Sequence, residues 1–392
     1  AGCSVVASIH LSRGKQNTAR INVTQALFFV TIIAALLSFL MMIFPDDTAY
    51  LLGASEHLRP MVTDYLLWFV PSWIFQIWIA VSLFIIRLDG APKLAMFCSL
   101  VTAVINVVLD WIFIFPFGWG VMGAALATSI SIISGGIIAI LYLLFFARRL
   151  RLYPLKWSVK SFRLFVRNIG YQCRIGSSAL LGEATLAVLM FVGNQVFMHY
   201  LGDDGVGAFG IACYYIPFVF MVGNAVAQSA QPIISYNYGL NESQRVCRAY
   251  LLALKTAIGC GVCFALVTIF CSPEIVGMFI DRSYPAYDIA VKGLPLYATG
   301  FVFFAVNIVS IGYFQSVERA KYATVITLLR GFILLTACFF GLPLLLGDRG
   351  IWLATPLAEM LTTLFILVIY ISGKKEHKEK SVSLDKMGCT PT

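Results

Sequence analysis

Long apolar runs separated by short polar connectors occupy most of this chain of 392 residues. A helix needs about 20 mostly apolar residues to cross the hydrocarbon core of a bilayer, and most of the runs reach that length. Hydrophobic residues make up 60% of the chain and charged residues only 12%, too few for an ordinary water-exposed surface. The runs also lack the alternation of barrel strands. The sequence therefore predicts an all-α integral membrane protein.

Ten complete membrane spans follow from these runs, and one further run is incomplete. The complete spans are placed at approximately 26–44, 64–86, 94–115, 121–146, 177–200, 206–230, 249–272, 293–315, 321–346 and 350–372. The incomplete run, 2–9, is followed by a polar turn around Gly14, as a helix is when it leaves a membrane.

The basic residues indicate how the spans are oriented. Most Lys and Arg residues lie in alternate connectors and in the tail, whereas the opposite connectors hold only Arg59, Arg282, Lys292 and Arg349. Because positively charged loops stay in the cytoplasm, the carboxyl terminus is predicted to be cytoplasmic. The net charge of +9 is then a topology signal, and no nucleic-acid partner is expected.

The sequence contains no motif of a catalytic or nucleotide-binding site. It lacks a P-loop, an HExxH motif and a nucleophile elbow. Cys260 and Cys263 have CxxC spacing, but they lie inside an apolar span, which favours packing over metal binding. We therefore expect no enzymatic activity, no metal site and no cofactor, and an ion gradient instead of ATP as the energy source.

Four pairs of short segments recur in the same order in the two halves of the chain. The offset is about 225 to 230 residues, and the pairs are Gly14 with Gly239, Pro45 with Pro273, Lys93 with Lys321, and Gly120 with Gly350. Such a repeat predicts two bundles that rock around a cavity near the bilayer midplane. The second copy begins near Asn168, so the first is expected to begin about 57 residues before Ala1, and the first helix to be absent.

This repeat predicts six helices per bundle and four segments in the chain. They are 1–146, the amino-terminal bundle from the end of helix 2 through helix 6; 147–169, a basic cytoplasmic linker on anionic lipid; 170–373, the carboxyl-terminal bundle of helices 7 to 12; and 374–392, a basic cytoplasmic tail.

Three segments resemble the multidrug and toxic compound extrusion (MATE) transporters. They are RLDGAPKLAM (87–96), INVVLDWIFIFPFGWGVMGAALATSIS (105–131) and AQSAQPIISYNYGLNESQRV (227–246), the last of which resembles the MepA-like branch. The resemblance implies two six-helix bundles around a central cleft. It also implies export of amphipathic cationic drugs or other xenobiotics in exchange for H⁺ or Na⁺. Sodium-coupled members of another branch carry a carboxylate on the tenth helix, where this chain offers only Asn307.

Glu183 is the first candidate for coupling transport to an ion. It lies in an apolar span, and it matches the position at which family members place a carboxylate in the seventh helix. A carboxyl group in a half-dry cavity can exchange a proton for a cationic substrate. The alternative is a structural carboxyl bonded to a neighbouring helix.

Arg330 and Glu359 are the second and third candidates. Each lies about nine residues into a span, and at 1.5 Å per residue both reach the middle of the bilayer. The two side chains could form a buried ion pair. Such a pair is either architectural or opens when protons or substrate compete for the carboxylate.

Further polar residues in the spans could line a substrate cavity. Asn194 lies three turns after Glu183 on the same helical face, and the other three are Asn224, Gln228 and Asn307. Hydrogen bonding between helices is an equally good explanation for such residues. Asn106 and Asp110 form an i, i+4 pair at the end of a span, for which a structural role is favoured.

The sequence thus predicts a multi-pass antiporter of a bacterial inner membrane. Its expected partners are membrane lipids and small amphipathic cations, and a monomer is expected. The alternative function is a flippase for lipids or lipid-linked oligosaccharides. The polyanionic substrates of a flippase would need a cationic cavity. Arg330 is the only basic residue deep in a span, so the sequence favours the antiporter.

Overall fold

The structure of the chain is a computed structural model that describes residues 1–51, 56, 59–155 and 158–386. For residue 51 and for 372–386 it describes the backbone alone. Two residues of the predicted linker, 156 and 157, and the last six of the predicted tail, 387–392, lie outside the described residues. In the described part of the chain every regular element is a helix.

The helices of the first half are α1 (Gly2–Ser12), α2 (Gln16–Ile43), α3 (Pro45–Leu51), α4 (Arg59–Phe69), α5 (Trp73–Asp89), α6 (Pro92–Ile114) and α7 (Gly120–Leu141). Those of the second half are α8 (Val159–Gly239), α9 (Ser243–Phe270), α10 (Ser272–Gly277), α11 (Pro285–Ala298), α12 (Phe301–Ser316), α13 (Ala320–Leu328), α14 (Leu335–Leu346) and α15 (Asp348–Lys386). Two wider π-helical turns occur at Tyr142–Phe146 and Leu329–Leu334.

The helices account for the ten predicted spans. Eight described helices or continuous helical segments are long and apolar enough to cross a membrane, and the pair α11 and α12, bent by 49°, forms a ninth span. Helix α8 is 81 residues long and is interrupted at Gly202, whose φ of 64° and ψ of −157° are not helical. It therefore contains two spans that meet at this glycine.

Helix α8 begins within the stretch predicted to be the linker. Ser158 caps its first turn, because its Oγ accepts from the Ser161 N–H at 3.1 Å. Further along, side chains of α2 hold the helix: Asn168 donates to the Gln25 Oε1 at 3.0 Å, and Gln172 donates to the Asn22 Oδ1 at 2.9 Å. Gln172 and Asn22 are both buried. The cap and these polar contacts accompany a part of the helix that is too polar for hydropathy to detect as a span.

The chain divides into two compact units. One comprises Ala1–Arg174 and Gly239–Asn241, and the other comprises Ile175–Tyr238 and Glu242–Thr392. The core of the first unit is built on aliphatic side chains, among them Ile85, Ile86, Leu143 and Leu150.

Aromatic side chains packed on glycines form the centre of the second unit. Phe197 stacks on Phe209 at 4.5 Å and meets the Trp352 ring edge-on at 4.9 Å. Gly193 lies directly against the Phe209 ring and Gly293 against the Trp352 indole, so a side chain at either glycine would collide with the ring. Large rings can therefore fill this core because two helices carry no side chain there.

The outer surfaces of the spans are apolar. Leu36 and Phe39 of α2 are each 65% exposed, as are many aliphatic and aromatic side chains of α6 and α8. Exposed apolar belts of this size are typical of surfaces that face lipid.

The internal repeat is visible in the backbone of the two halves of the chain. Helices α2 and α9 both have 28 residues, and each follows a residue in the left-handed conformation, Gly14 with φ 71° and Asn241 with φ 62°. The structure thus aligns Gly14 with Asn241, and the predicted pairing with Gly239 is wrong by two residues. Asparagine tolerates this conformation, so the turn is kept although the glycine is not.

Candidate cation-coupling site

Three helical segments of the second unit place polar side chains together in the middle of their spans. Asn307 comes from α12, Arg330 from the π-helical turn after α13, and Glu359 from α15. Their side chains are buried, with relative exposures of 0% for Asn307, 3% for Arg330 and 4% for Glu359. A polar cluster of this kind is costly in an apolar bundle and points to a functional site.

The widened turn that carries Arg330 packs directly against α8. Gly331 lies against the Thr185 side chain of α8, at a distance that leaves no room for a Cβ. A π-helical turn inserts one extra residue into the helix and is frequent at functional sites. Here it changes the direction of the helix face at Arg330.

Arg330 and Glu359 form a buried ion pair, which their similar depth in the spans had made possible. The Arg330 Nε donates to the Glu359 Oε1 at 2.6 Å and to its Oε2 at 2.9 Å. The Arg330 Cζ also lies over the Phe304 ring, 4.4 Å from its centroid. The guanidinium is therefore held by a carboxylate on one side and an aromatic face on the other.

Asn307 and Thr363 complete the network around the carboxylate. The Asn307 Nδ2 donates to the Glu359 Oε2 at 2.7 Å and to its backbone carbonyl at 2.9 Å. The Thr363 hydroxyl donates to the Asn307 Oδ1 at 2.9 Å, which orients the amide. Both carboxylate oxygens thus have partners, as a buried charge requires.

The site also includes residues that the sequence reasoning missed. Phe304 and Thr363 were not predicted, although each follows from helical spacing: Phe304 lies three residues before Asn307, and Thr363 lies four residues after Glu359. In an apolar chain such spacings are too common to single out a residue without knowing which helices are neighbours.

Asn307 takes part in hydrogen bonding between helices, which was the alternative to a place in a substrate cavity. It was expected among the polar residues of a substrate cavity, but both of its amide atoms are bonded within the network. It therefore orients Glu359, and its Nδ2 group is fully used within the network.

The other predicted site residues lie apart from this network. Glu183 and Asn194, both on α8, are exposed, and no hydrogen bond or ion pair joins either of them to another described residue. Asn224 and Gln228 are half-buried farther along α8. The structure leaves the Glu183 carboxylate accessible, whereas it encloses that of Glu359.

A second polar cluster lies in the first unit, on α6 and α7. The Asn106 Nδ2 donates to the Thr128 Oγ1 at 3.3 Å. One turn further along α6, the Asp110 Oδ1 is buried without a hydrogen-bonding partner among the described residues. A buried carboxylate oxygen without a hydrogen-bonding partner can accept a proton or a cation. Asp110 is therefore a further candidate for coupling transport to an ion.

Within the described residues no three side chains of His, Cys, Asp or Glu come together as a metal site would require. The cysteines at 260 and 263 are free thiols of α9.

The family model MatE matches residues 1–112 and 179–339. The multidrug export protein MepA of Staphylococcus aureus is 24% identical over 336 residues, which cover 84% of this chain and 71% of the relative. MepA of Staphylococcus saprophyticus is 22% identical over 365 residues, which cover 90% and 77% of the two chains.

Solved structures share the fold. A transporter of the MOP superfamily from Pyrococcus furiosus superposes with a TM-score of 0.85 at 20% identity, covering 95% of this chain and 83% of its own. A MATE transporter from Vibrio cholerae gives 0.85 at 20% identity, with 96% and 84% covered.

The fold is that of the MATE transporters, and it contains several helices long and apolar enough to cross a membrane. Because the family model covers more than half of the chain, we conclude that the chain belongs to the MatE family. The predicted resemblance to MATE transporters and to their MepA-like branch is confirmed.

Proposed function

We propose that this protein is a secondary antiporter that exports amphipathic cations in exchange for H⁺ or Na⁺. The observation that carries the proposal is the buried network of Arg330, Glu359 and Asn307 in a transporter fold. The names of the MepA relatives, which are multidrug export proteins, support drugs as the exported class.

Glu359 carries the coupling in this proposal, and Arg330 is its internal counter-ion. A proton or a sodium ion that binds the carboxylate has to replace the guanidinium, whose Nε lies 2.6 Å from Oε1. Once released, Arg330 is a buried cation without a charged partner, which is unfavourable. The second unit is then driven to rearrange, and it can do so at the π-helical turn that carries Arg330.

Glu183 and Asp110 are further coupling groups in the proposal. The exposed Glu183 carboxylate attracts a cationic substrate and exchanges it for a proton. Asp110 has an unpartnered oxygen in the first unit, and there it supplies a second place for a coupling ion.

The alternative function, a flippase for lipids or lipid-linked oligosaccharides, fits the residues less well. A polyanionic headgroup needs cationic side chains that are free to bind it. Arg330, the deep basic residue, is neutralised by Glu359. The carboxylates of Glu183 and Asp110 would repel such a headgroup.

We further propose that the protein acts as a monomer in the cytoplasmic membrane of a bacterium, with its carboxyl terminus in the cytoplasm. The bacterial MepA relatives support the location. The basic residues at 148, 149 and 151 and at 160, 163 and 167 support contact with anionic lipid on the cytoplasmic side.

The proposal is tested with purified protein in proteoliposomes. Ethidium movement is followed under an imposed pH gradient or sodium gradient, with the protein amount measured in each preparation. We expect gradient-dependent exchange in the wild type and at least a tenfold loss in Glu359→Gln and Glu183→Gln. Asp203→Asn, at an exposed residue beside the Gly202 break, is the matched control and should keep full exchange.

Two results would contradict the proposal. Ethidium movement that is independent of both gradients would exclude an antiporter of this class. Exchange that persists in both glutamine variants would remove Glu359 and Glu183 from the coupling site and leave Asp110 as the remaining carboxylate.

A further inference from the structure

Helix α6 has one face that the described part of the chain leaves uncovered. Four exposed residues form it, at a spacing of four along the helix: Ser99, Ala103, Val107 and Trp111. The Val107 side chain is 68% exposed and that of Trp111 62%. Only Ala95 and Cys98 of α6 are buried. The four exposed residues are called the α6 face.

The matching face is buried in the other half of the chain. In the internal repeat Lys93 pairs with Lys321. With this alignment the α6 face corresponds to four residues of the segment from α13 to α14: Thr327, Gly331, Leu335 and Phe339. Leu335 is 3% exposed and Phe339 0%, and the other two residues are buried as well. The two copies of the repeat therefore differ in what covers this face.

In the second half the first span of α8 covers the face. Gly331 lies so close to the Thr185 side chain that there is no room for a Cβ. Towards the start of the same span, the Ser177 and Thr324 hydroxyls are 3.0 Å apart and hydrogen-bonded. The buried apolar cluster that contains Leu189 of this span also contains the two larger side chains of the face. The described residues include no counterpart of this span in the first half.

The side chains of the α6 face fit a helix better than they fit lipid. Ser99 and Ala103 are small residues four apart, and such pairs let two membrane helices approach closely. Asp110 brings a carboxyl group to the same side of α6, and its counterpart Cys338 is buried in the second half. Acyl chains have no hydrogen-bond donor for a carboxyl group, whereas the polar side chains of a neighbouring helix do.

We propose that the α6 face binds a membrane helix that precedes Ala1 in the complete polypeptide, packed as the first span of α8 packs in the second half. The match with MepA of Staphylococcus aureus covers 84% of this chain and 71% of the relative, so the relative is the longer chain. The residue opposite Ala103 is the counterpart of Thr185 and lies about 40 residues before Ala1. This proposal does not rest on the antiport function.

Photo-crosslinking in membranes of cells that express the complete gene identifies what covers the α6 face. The photoreactive residue p-benzoylphenylalanine replaces Val107, the membranes are irradiated, and mass spectrometry of the purified protein locates the new bond. We expect a product within one polypeptide chain, joined to a residue about 30 to 50 positions before Ala1. Trp111, on the same face, is the second position if the Val107 variant is not produced.

Phe97 is the matched control position on the same helix. Its side chain is 53% exposed, and its counterpart in the repeat, Val325, is 49% exposed. This side of the helix is therefore open to lipid in both halves of the chain. With p-benzoylphenylalanine at Phe97 we expect products with lipid and none within the polypeptide.

Several results would overturn the proposal. A product of the Val107 variant with lipid alone would show that lipid covers the α6 face. A covalent dimer would show that a second copy of the chain covers it. The same intramolecular product from Phe97 would show that the contact is not specific to the α6 face, and a complete gene without an apolar span before Ala1 would exclude the helix. All of these outcomes are independent of ethidium exchange, so they leave the antiport proposal to its own test.

Discussion

Glu359 is bonded on every side by protein groups of different kinds. It accepts from a guanidinium and from an amide, and that amide is in turn oriented by a hydroxyl. In an apolar surrounding such a chain of bonds is cooperative, and the loss of one member affects the others. The residue-scale predictions follow from this dependence.

Glu359→Gln should destabilise the protein strongly, because it leaves the Arg330 guanidinium buried without a charged partner. Breaking one side of a buried pair costs about 3–5 kcal/mol. The measurement is the thermal unfolding midpoint of purified protein in detergent. Glu183→Gln is the control and should not shift the midpoint, since Glu183 is exposed and unpaired among the described residues. Equal midpoints for the two variants would disprove a structural role of the pair.

Thr363→Val should destabilise the protein by about 1–3 kcal/mol, because the buried Asn307 Oδ1 loses its donor. The same unfolding measurement applies. Thr256→Val is the control, since Thr256 is exposed and its hydroxyl bonds only to the Leu252 carbonyl of its own helix. A loss of the same size in both variants would indicate a general effect of removing threonine, independent of the network.

Close contact between helix backbones determines the packing at the scale of the elements. In the second unit α9 and α12 meet at Gly261, where a Cβ would lie 2.9 Å from the Val302 Cα and 3.1 Å from the Phe301 carbonyl oxygen. Small residues at such positions let two membrane helices approach closely. The approach holds α12, and with it Asn307, in place.

Gly261→Ala should therefore separate α9 from α12 and lower the unfolding midpoint, at a cost of about 1–3 kcal/mol. Gly259→Ala lies two residues earlier on the same helix, where a Cβ would have no neighbour within 4 Å, and should be tolerated. If both variants unfold at the wild-type temperature, the close approach does not contribute to stability.

In the first unit, Asp89 holds the turn that follows α7. Its carboxylate accepts from the Tyr142 hydroxyl at 2.8 Å and from the backbone N–H groups of residues 148, 149 and 150 at 3.1, 2.7 and 2.8 Å. Arg20 donates to the carbonyls of Arg148 and Arg149 in the same turn. One carboxylate thus satisfies three consecutive backbone donors at the start of the basic linker.

Asp89→Asn should loosen this turn, because the amide nitrogen would face hydrogen-bond donors. We expect trypsin to cleave after Arg148 or Arg149 several times faster than in the wild type. Mass spectrometry of the fragments locates the cut. Asp203→Asn, exposed on α8, should leave the cleavage rate unchanged. An unchanged rate in Asp89→Asn would mean that Arg20 is sufficient to hold the turn.

The distribution of charge predicts the topology of the whole molecule. A carboxyl-terminal fusion to green fluorescent protein should fluoresce, and one to alkaline phosphatase should be inactive, because the basic connectors are retained in the cytoplasm. A phosphatase fusion after Tyr284, in the loop that contains Arg282, should be active. The opposite pattern would reverse the predicted orientation.

The sequence by itself determined the membrane class, the ten spans, the repeat and the family, because these depend on long apolar runs and on segments that are contiguous in the chain. It also indicated Arg330 and Glu359, since charges are rare at mid-span and each depth can be counted from the helix ends. The beginning of α8 at Val159 was missed, because its capping residue Ser158 lies in a basic stretch that hydropathy separates from the spans.

Only the tertiary structure decided which side chains surround Glu359. Two of them, Asn307 and Phe304, lie about fifty residues before Glu359 in the sequence, and Thr355 lies one turn before it. These side chains meet because of the bend at Gly300 and the widened turn at Arg330. Hydropathy measures the transfer of a residue from water to lipid. It carries no information about which helices are neighbours, and a buried polar network depends on that arrangement.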